Sequence, residues 1–101
     1  MYFIYILYSQ SSDIYYVGYS RDPAKRLLEH NSSPSNTFTT KHRPWIIKAL
    51  FECGNNEAQA MRIEKFIKKQ KSRSLLEKLI DPAIIPNGML AQLVRVPHMR
   101  D

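Results

Sequence analysis

The sequence predicts an α+β domain in which helices flank a small three-stranded antiparallel sheet, in the order β-β-α-β-α-α. Two observations lead to this prediction. Apolar, tyrosine-rich runs at residues 2–8 and 14–20 flank a polar break at residues 9–13, a pattern typical of a β-hairpin. Two later segments carry apolar residues at helical spacing behind a capping residue, Asp22 in one and Asn55 or Asn56 in the other, which is typical of helices that pack on a sheet.

The hairpin brings two phenols together. Residues 2–8 are apolar at nearly every position, which suits a central strand covered on both faces. If the turn centres on Gln10 and Ser11, Tyr5 and Tyr16 stand directly opposite one another, and opposed residues share a face of the sheet. Gly18 within the second strand indicates a bulge or a place where another group comes close.

The first helix is predicted to begin at Asp22 and Pro23, since Asp is a favoured N-cap and Pro suits the first helical position. The Ser and Pro residues at 32–34 end it. Arg26 and His30 are four residues apart and therefore share a face. We expect that face to point away from the apolar stripe, which consists of Ala24, Leu27 and Leu28.

The rest of the chain alternates between polar and apolar segments. A polar loop at residues 32–43 precedes a third strand at residues 45–52, and a second helix then runs to about Lys69. Its apolar stripe is Ala60, Ile63, Phe66 and Ile67, with Glu64 at the edge, where a carboxylate needs a partner. A third helix is predicted from Ser74 to about Ile80 by capping-box spacing. Residues 90–96 are a short strand or a docked extended segment.

Composition limits the possible functions. A chain of 101 residues with a net charge of +6 and a pI of about 9.6 is one basic domain, which suits a nucleic-acid partner, although solubility alone also explains such a charge. A single cysteine, Cys53, excludes an internal disulfide and a zinc site made of several thiolates. No apolar run approaches the ~20 residues of a membrane span, and no basic region precedes the first apolar run. We therefore expect a cytoplasmic protein without membrane contact.

Several of these residues together carry a family resemblance. Phe3-Ile4-Tyr5, Tyr16-Val17-Gly18, Arg26 ten residues after Tyr16, His30 one turn later and Glu64 in the second helix stand in the order of the GIY-YIG motifs. Over residues 2–80 the chain resembles the GIY-YIG nuclease superfamily, as a small stand-alone single-domain member related to the N-terminal domain of the excision-repair nuclease. Phe3 replaces the motif's glycine and Val17 its isoleucine. The asparagine that many members carry after the glutamate is missing from residues 71–80, where Lys78 resembles the basic residue of the minimal branch.

The resemblance implies a site and a cofactor. It implies a nuclease domain at residues 1–80, followed by a tail at 81–101, docked or partly flexible. The implied catalytic residues are Tyr5, Tyr16, Arg26, His30 and Glu64, with Glu64 as the ligand of Mg²⁺ or Mn²⁺. The expected nucleic-acid contacts are Gly18, Arg21, Lys25, Lys68 and Lys78.

The chemistry of these residue types agrees with that implication. Mg²⁺ is commonly held by one or two carboxylates and keeps most of its waters, which a lone Glu64 can serve. Arg26 offers a planar fork to phosphate oxygens. A tyrosine with a pKa of ~10 is a poor general base without help. We assign Tyr5 as the base, Tyr16 as a hydrogen-bond partner of water or phosphate, and His30 as a proton relay or phosphate contact.

The leading hypothesis is therefore a Mg²⁺-dependent endonuclease acting on DNA in repair or recombination. Simpler interpretations stay open: the tyrosines as core residues, Arg26 and His30 as an ordinary solvated helix face, Glu64 in a structural salt bridge with Lys68, and the basic cluster at residues 65–73 as a solvated face. One alternative function is a module that binds nucleic acid or a repair partner with little catalysis. Another is a partner-binding domain that uses the tail from Asp81 onward.

Overall fold

The computed structural model describes residues 1–32, 34 and 38–97. These residues form four strands, four α-helices and one turn of 3₁₀ helix at Gly88–Leu90. The strands are β1 (Phe3–Ser9), β2 (Ile14–Ser20), β3 (Trp45–Glu52) and β4 (Val94–Arg95). The helices are α1 (Pro23–Ser32), α2 (Phe38–Lys41), α3 (Glu57–Lys69) and α4 (Arg73–Ile80).

The sheet is antiparallel with the strand order β2-β1-β3-β4. The α+β class and the interior position of β1 are confirmed, but the predicted count of three strands is wrong. The tail supplies the fourth strand: β4 pairs with the end of β3, and the N–H of Val96 donates to the carbonyl of Leu50 at 2.8 Å. Of the two interpretations of residues 90–96, the short strand is the one that the structure shows, and the sequence left the choice open because two residues carry no period.

The hairpin register also differs from the predicted one. Tyr5 pairs with Gly18, and Tyr16 pairs with Leu7, so the two tyrosines are diagonal neighbours and not opposite residues. The loop between the strands has four residues, and its last, Asp13, has a φ of 54°, a left-handed conformation that Asp tolerates. The observed pairing is shifted by two residues from the predicted one. Because side chains alternate between the two faces of a sheet, an even shift leaves both phenols on the same face.

Helix α1 begins as predicted, with the Asp22 carboxylate accepting the N–H of Lys25 at 3.1 Å. The face that it turns to the sheet is only partly the predicted one: Leu27 packs against the buried cluster under β1, but the rest of the predicted stripe does not. Leu28 is 65% exposed and Ala24 is exposed, whereas His30 is buried. The prediction that His30 points away from the buried face is therefore wrong.

Polar partners explain this rotation of α1. Asn31 clamps the first residue of β3: its Oδ1 accepts the N–H of Trp45 at 2.7 Å, and its Nδ2 donates to the Trp45 carbonyl at 3.0 Å. His30 has a hydrogen-bond partner on β1, Tyr5, and its carbonyl accepts a hydrogen bond from Nε of Arg43 at 2.7 Å. A buried polar side chain with its hydrogen bonds made is stable in the interior, so Asn31 and His30 share the inner face with the one leucine that still packs there.

The segment predicted as a polar loop contains α2. The buried Trp45 holds α2 in place, because its Nε1 donates to the carbonyl of Thr39 at 2.8 Å. Residues 33 and 35–37 of the predicted loop lie outside the described residues.

The second half follows the predicted order closely. Asn56 caps α3, with its Oδ1 accepting the N–H of Gln59 at 3.2 Å, and α3 ends at Lys69. Helix α4 begins earlier than predicted, because Ser72 and not Ser74 is its cap: the Oγ of Ser72 accepts the N–H of Leu75 at 3.0 Å. Both serines lie within three residues of Leu75, the first apolar residue of the helix, so the sequence alone left the first turn ambiguous.

The sheet separates two clusters of buried residues. Alternate residues of β1 point to opposite faces, with Ile4 and Ile6 packing toward α3 and α4, and Tyr5 and Leu7 packing toward α1 and Trp45. Both faces of β1 are therefore covered, as its apolar sequence predicts. Among the described residues, no helix has both the length and the apolar character needed to span a membrane.

Candidate active site

A cleft of about 560 Å³ opens along the outer edge of β2. β2 is an edge strand of the sheet, so side chains from both faces and from neighbouring helices meet there. The cleft is lined by four of the residues that the sequence nominated as catalytic: Tyr5, Tyr16, Arg26 and Glu64. The fifth, His30, lies behind Tyr5.

Tyr5 and His30 form a buried hydrogen-bonded pair. Tyr5 is 1% exposed, and its Oη lies 3.2 Å from Nε2 of His30. Burial raises the pKa of Tyr5 to about 12, although hydrogen bonding to Arg26 opposes the rise. Burial, together with the nearby charge of Arg26, lowers the pKa of His30. At neutral pH the phenol is therefore protonated and the imidazole neutral, so the phenol can donate its hydrogen bond to Nε2.

Tyr5 also explains the glycine in β2. A Cβ built at Gly18 would lie 2.5 Å from Cζ of Tyr5, a distance that real Cβ atoms do not reach. The close approach that the sequence predicts at Gly18 is thus made by a side chain of the chain itself.

Tyr16 lies half-buried between α1 and α3. Its ring meets the His30 ring edge-on, with centroids 5.0 Å apart, and faces Phe38 of α2 at 6.4 Å. The ammonium of Lys68 lies 5.3 Å from the Tyr16 ring centroid, within the range of a cation–π contact. These contacts fix the plane of the phenol beside the Tyr5–His30 pair.

Arg26 reaches the cleft from the first turn of α1. Its Nη1 bonds Oε1 of Glu29 at 2.8 Å, and both side chains are more than two-fifths exposed. Such exposed pairs contribute only ~0.2–1 kcal/mol. A phosphate group can therefore replace Glu29 as the partner of Arg26 with little loss of free energy.

Glu64 lies at the edge of the apolar stripe of α3, as predicted. Its side chain is only 17% exposed, and Oε2 lies 3.4 Å from Nζ of Lys68. The salt bridge that the sequence offered as an alternative is thus formed. The same carboxylate lines the cleft, so the ion pair and a role in the site are compatible.

Sequence reasoning missed a second carboxylate. Glu57 lines the cleft, and its Oε2 accepts a hydrogen bond from Oη of Tyr19 at 3.1 Å. Glu57 and Glu64 are seven residues apart on α3, which places them two turns apart on one face. This seven-residue spacing is visible in the sequence and could have indicated Glu57 as a second carboxylate of the site.

A comparison with known protein families identifies the family to which the chain that forms this cleft belongs. The family model of the GIY-YIG catalytic domain matches residues 1–78 of the 101-residue chain. The chain belongs to the GIY-YIG family. Membership indicates nuclease activity in general and a nucleic-acid substrate. A search of curated proteins finds no relative that matches the chain.

The two halves of the GIY-YIG motif meet in this structure. Tyr5 closes the first half and Gly18 closes the second, and the register pairs them directly. Phe3, at the motif's glycine position, pairs with Ser20 and Glu52 at the far end of β1. The position at which phenylalanine replaces the motif's glycine therefore lies two residues before Tyr5, which lines the cleft.

Divalent metals are typical of GIY-YIG nucleases, and the donor set of this cleft fits one kind of ion. Among the described residues no group of three or more His, Cys, Asp and Glu side chains converges as a metal site. Zinc, which takes three or four protein ligands, does not fit. Mg²⁺ or Mn²⁺, held by Glu64 with waters and with Glu57 in reach of the same space, does fit.

The predicted nucleic-acid contacts of this GIY-YIG domain fall in different places. Gly18, Arg21 and Lys25 line the cleft. Lys68 reaches its edge through the ion pair with Glu64. Lys78 is exposed on α4 and lies outside the cleft lining. The roles of all five stay predictions.

Proposed function

We propose that this GIY-YIG domain is an endonuclease that hydrolyses DNA phosphodiester bonds with Mg²⁺, as a cytoplasmic protein of DNA repair or recombination. The observation that supports it most is the cleft at the β2 edge, where two phenols, a guanidinium and a carboxylate face one space. Phosphodiester hydrolysis needs an activated water and preorganised positive charge at the phosphate. The net charge of +6 favours a polyanionic substrate.

Arg26 binds the scissile phosphate in this proposal. Its guanidinium presents two parallel N–H groups to phosphate oxygens. The contact of Arg26 with Glu29 is exposed and weak, so a phosphate can displace the carboxylate. The charge of Arg26 also helps to keep the nearby His30 neutral, because it lowers the pKa of the imidazole.

Glu64 holds the Mg²⁺, with Glu57 as a second carboxylate in the same cleft. When bound, the ion supplies positive charge to the phosphate and lowers the pKa of its own water. Lys68 compensates the charge of Glu64 at 3.4 Å in the free protein.

Tyr5 and His30 move the proton of the attacking water. Because burial raises the pKa of Tyr5 to about 12, the phenol is protonated at neutral pH and no phenolate is available to act as the base. Water instead gives its proton to Oη of Tyr5 while Tyr5 passes its own proton to Nε2 of His30, 3.2 Å away. The oxygen of that water forms the new bond to phosphorus, the bond to the leaving oxygen breaks, and the leaving oxygen takes a proton from solvent. Tyr16 donates a hydrogen bond to the phosphate or the water.

A cleavage assay tests the proposal. Supercoiled plasmid and branched DNA are incubated with the protein and Mg²⁺, and nicked products are measured. We expect Glu64→Gln to reduce cleavage at least ~100-fold, in the range found when one transition-state contact is removed, with losses also in Arg26→Ala and Tyr5→Phe. Glu77→Gln is the matched control, because Glu77 lies on α4 and pairs with Arg73 outside the cleft. Cleavage that survives Glu64→Gln would overturn the mechanism.

One observation favours the binding-module alternative. The ion pair with Lys68 already occupies one oxygen of the proposed metal ligand. DNA binding that weakens with added salt, without cleavage of any substrate in Mg²⁺ or Mn²⁺, would favour that alternative. A repair protein that binds the tail from Asp81 onward is a separate prediction, tested by pull-down.

A further inference from the structure

A second concavity continues the cleft along the same strand and helix. We call it the side groove; its volume is about 320 Å³, and its walls include Tyr15, Tyr16, Ile67, Lys68, Lys71 and Leu76. Tyr16 lines both the cleft and the side groove. Helix α3 contributes Glu57 and Glu64 to the cleft and its C-terminal end to the side groove. The two spaces therefore adjoin at Tyr16.

The electrostatics of the two spaces differ. The cleft is lined by four carboxylates as well as three basic residues: Asp22, Glu29, Glu57 and Glu64 with Arg21, Lys25 and Arg26. The side groove has Lys68, Lys71 and Arg73 and no carboxylate among the described residues that line it. Its charge is complementary to a phosphodiester chain.

The three cations have different partners. Arg73 is held by Asp13 at 2.7 Å and by Glu77 at 3.1 Å, and lies 4.9 Å from the Tyr15 ring centroid, so it is part of the wall. Lys68 pairs with Glu64. Lys71 is exposed and makes no ion pair with another described residue. Lys71 is therefore the cation that can accept a phosphate without first losing a carboxylate.

The floor of the side groove is apolar. Ile14, Val17, Ile67 and Leu76 contribute to it, beside the rings of Tyr15 and Tyr16. A volume of 320 Å³ is at the small end of ligand sites, and apolar and aromatic walls accept the faces of a base. A fully stacked and paired base cannot present a face, so a base enters this space only from an unpaired strand.

We propose that the side groove binds an unpaired nucleotide of the substrate strand next to the cleavage site, with its base on the apolar floor and a phosphate on Lys71. Lys71 follows the C-terminal end of α3, the helix that carries Glu64, so a strand that runs from the proposed metal site to Lys71 follows this helix toward its C-terminal end. This inference rests on the proposed nuclease function and adds a substrate class: DNA with a single-stranded extension or flap at the cut.

Binding in a chelator tests the site apart from cleavage. A labelled blunt duplex is compared with the same duplex carrying a three-nucleotide single-stranded extension at its 3′ or its 5′ end, by fluorescence anisotropy in EDTA. We expect one of the extended probes to bind at least ~5-fold more tightly, as the stacking of one base allows. Lys71→Glu should abolish that preference. Lys69→Glu should keep it, because Lys69 makes the same charge change on α3 outside the groove lining.

Photochemical crosslinking locates the base. With 5-iodouracil in the extension, we expect the crosslinked peptide to contain Tyr15 or Tyr16. Unfolding midpoints of both lysine variants verify that each is folded. Equal affinity for blunt and extended probes, equal losses in both variants, or a crosslink outside the groove would overturn the inference while leaving the nuclease intact. If no probe binds and no DNA is cut, the proposed function fails as well.

Discussion

The ring of Tyr5 occupies the space in which a side chain at Gly18 would begin, because the hairpin register pairs the two residues directly. Strand β2, which carries the second half of the motif, can therefore have no side chain at position 18. The absence of a side chain there leaves room for the phenol, whose hydroxyl lies 3.2 Å from Nε2 of His30. One glycine thus positions a side chain of the cleft.

Gly18→Ala should displace Tyr5. A Cβ at 2.5 Å from Cζ of Tyr5 forces the ring away, and such overpacking typically costs ~1–3 kcal/mol of stability. We expect that loss in urea unfolding, together with loss of DNA cleavage. The same substitution in a Tyr5→Ala background serves as the control, because no ring is left to displace. An equal cost in both backgrounds would contradict the contact.

The pH dependence of stability should report His30. Burial lowers its pKa in the folded protein below the ordinary 6.5, so the folded state disfavours the imidazolium. Stability from this group is complete above pH ~6.5 and is lost as the pH falls from there to the lower folded-state pKa. Urea midpoints between pH 5 and 8 should show this decline, and His30→Gln should flatten it. His42→Gln is the control, and a decline that disappears in it instead would assign the titration elsewhere.

Arg26 should not tolerate lysine. A single ammonium cannot reproduce the paired N–H groups of a guanidinium. We expect Arg26→Lys to lower kcat/KM for DNA cleavage by ~10-fold or more, and Arg26→Gln to lower it further, with unchanged unfolding midpoints. Glu29→Gln is the complementary variant: it removes the competing partner of Arg26 at 2.8 Å and should lower KM. A Glu29→Gln enzyme with a higher KM would show that Glu29 orients Arg26 and does not compete for it.

Arg95 should fasten the tail to the domain. Its guanidinium donates to the carbonyls of Leu79, Asp81 and Ile84 at 2.8–3.0 Å and lies 4.8 Å from the Phe51 ring centroid. Hydrogen bonds from a charged group are worth ~1.5–3 kcal/mol. We expect Arg95→Gln to lower the free energy of unfolding by about that amount and to speed proteolysis within residues 81–97. Lys69→Gln, an exposed change of the same charge, should do neither.

Local sequence patterns predicted much of the secondary structure of this protein and most of the residues that line its cleft as candidate site residues. The order of the first three strands and the main helices follows from apolar runs and caps, because hydrogen-bonding side chains such as Asp22 and Asn56 act on residues two or three positions away. The motif residues likewise stand in the sequence itself, so the family resemblance predicts Tyr5, Tyr16, Arg26 and Glu64 as site residues. Their convergence on one cleft agrees with that nomination.

Only the tertiary structure decided the remaining features. The hairpin register depended on a four-residue loop with Asp13 in a left-handed conformation, and local patterns did not distinguish it from a shorter turn. The inner face of α1 depended on partners 14 and 25 residues away, Trp45 for Asn31 and Tyr5 for His30. Strand β4 exists because the tail finds an open edge of β3. For α1 and β4 a long-range polar or backbone contact outweighed the local pattern, and such contacts are formed only when the chain has folded. For the hairpin, the backbone conformation of one loop residue decided the register.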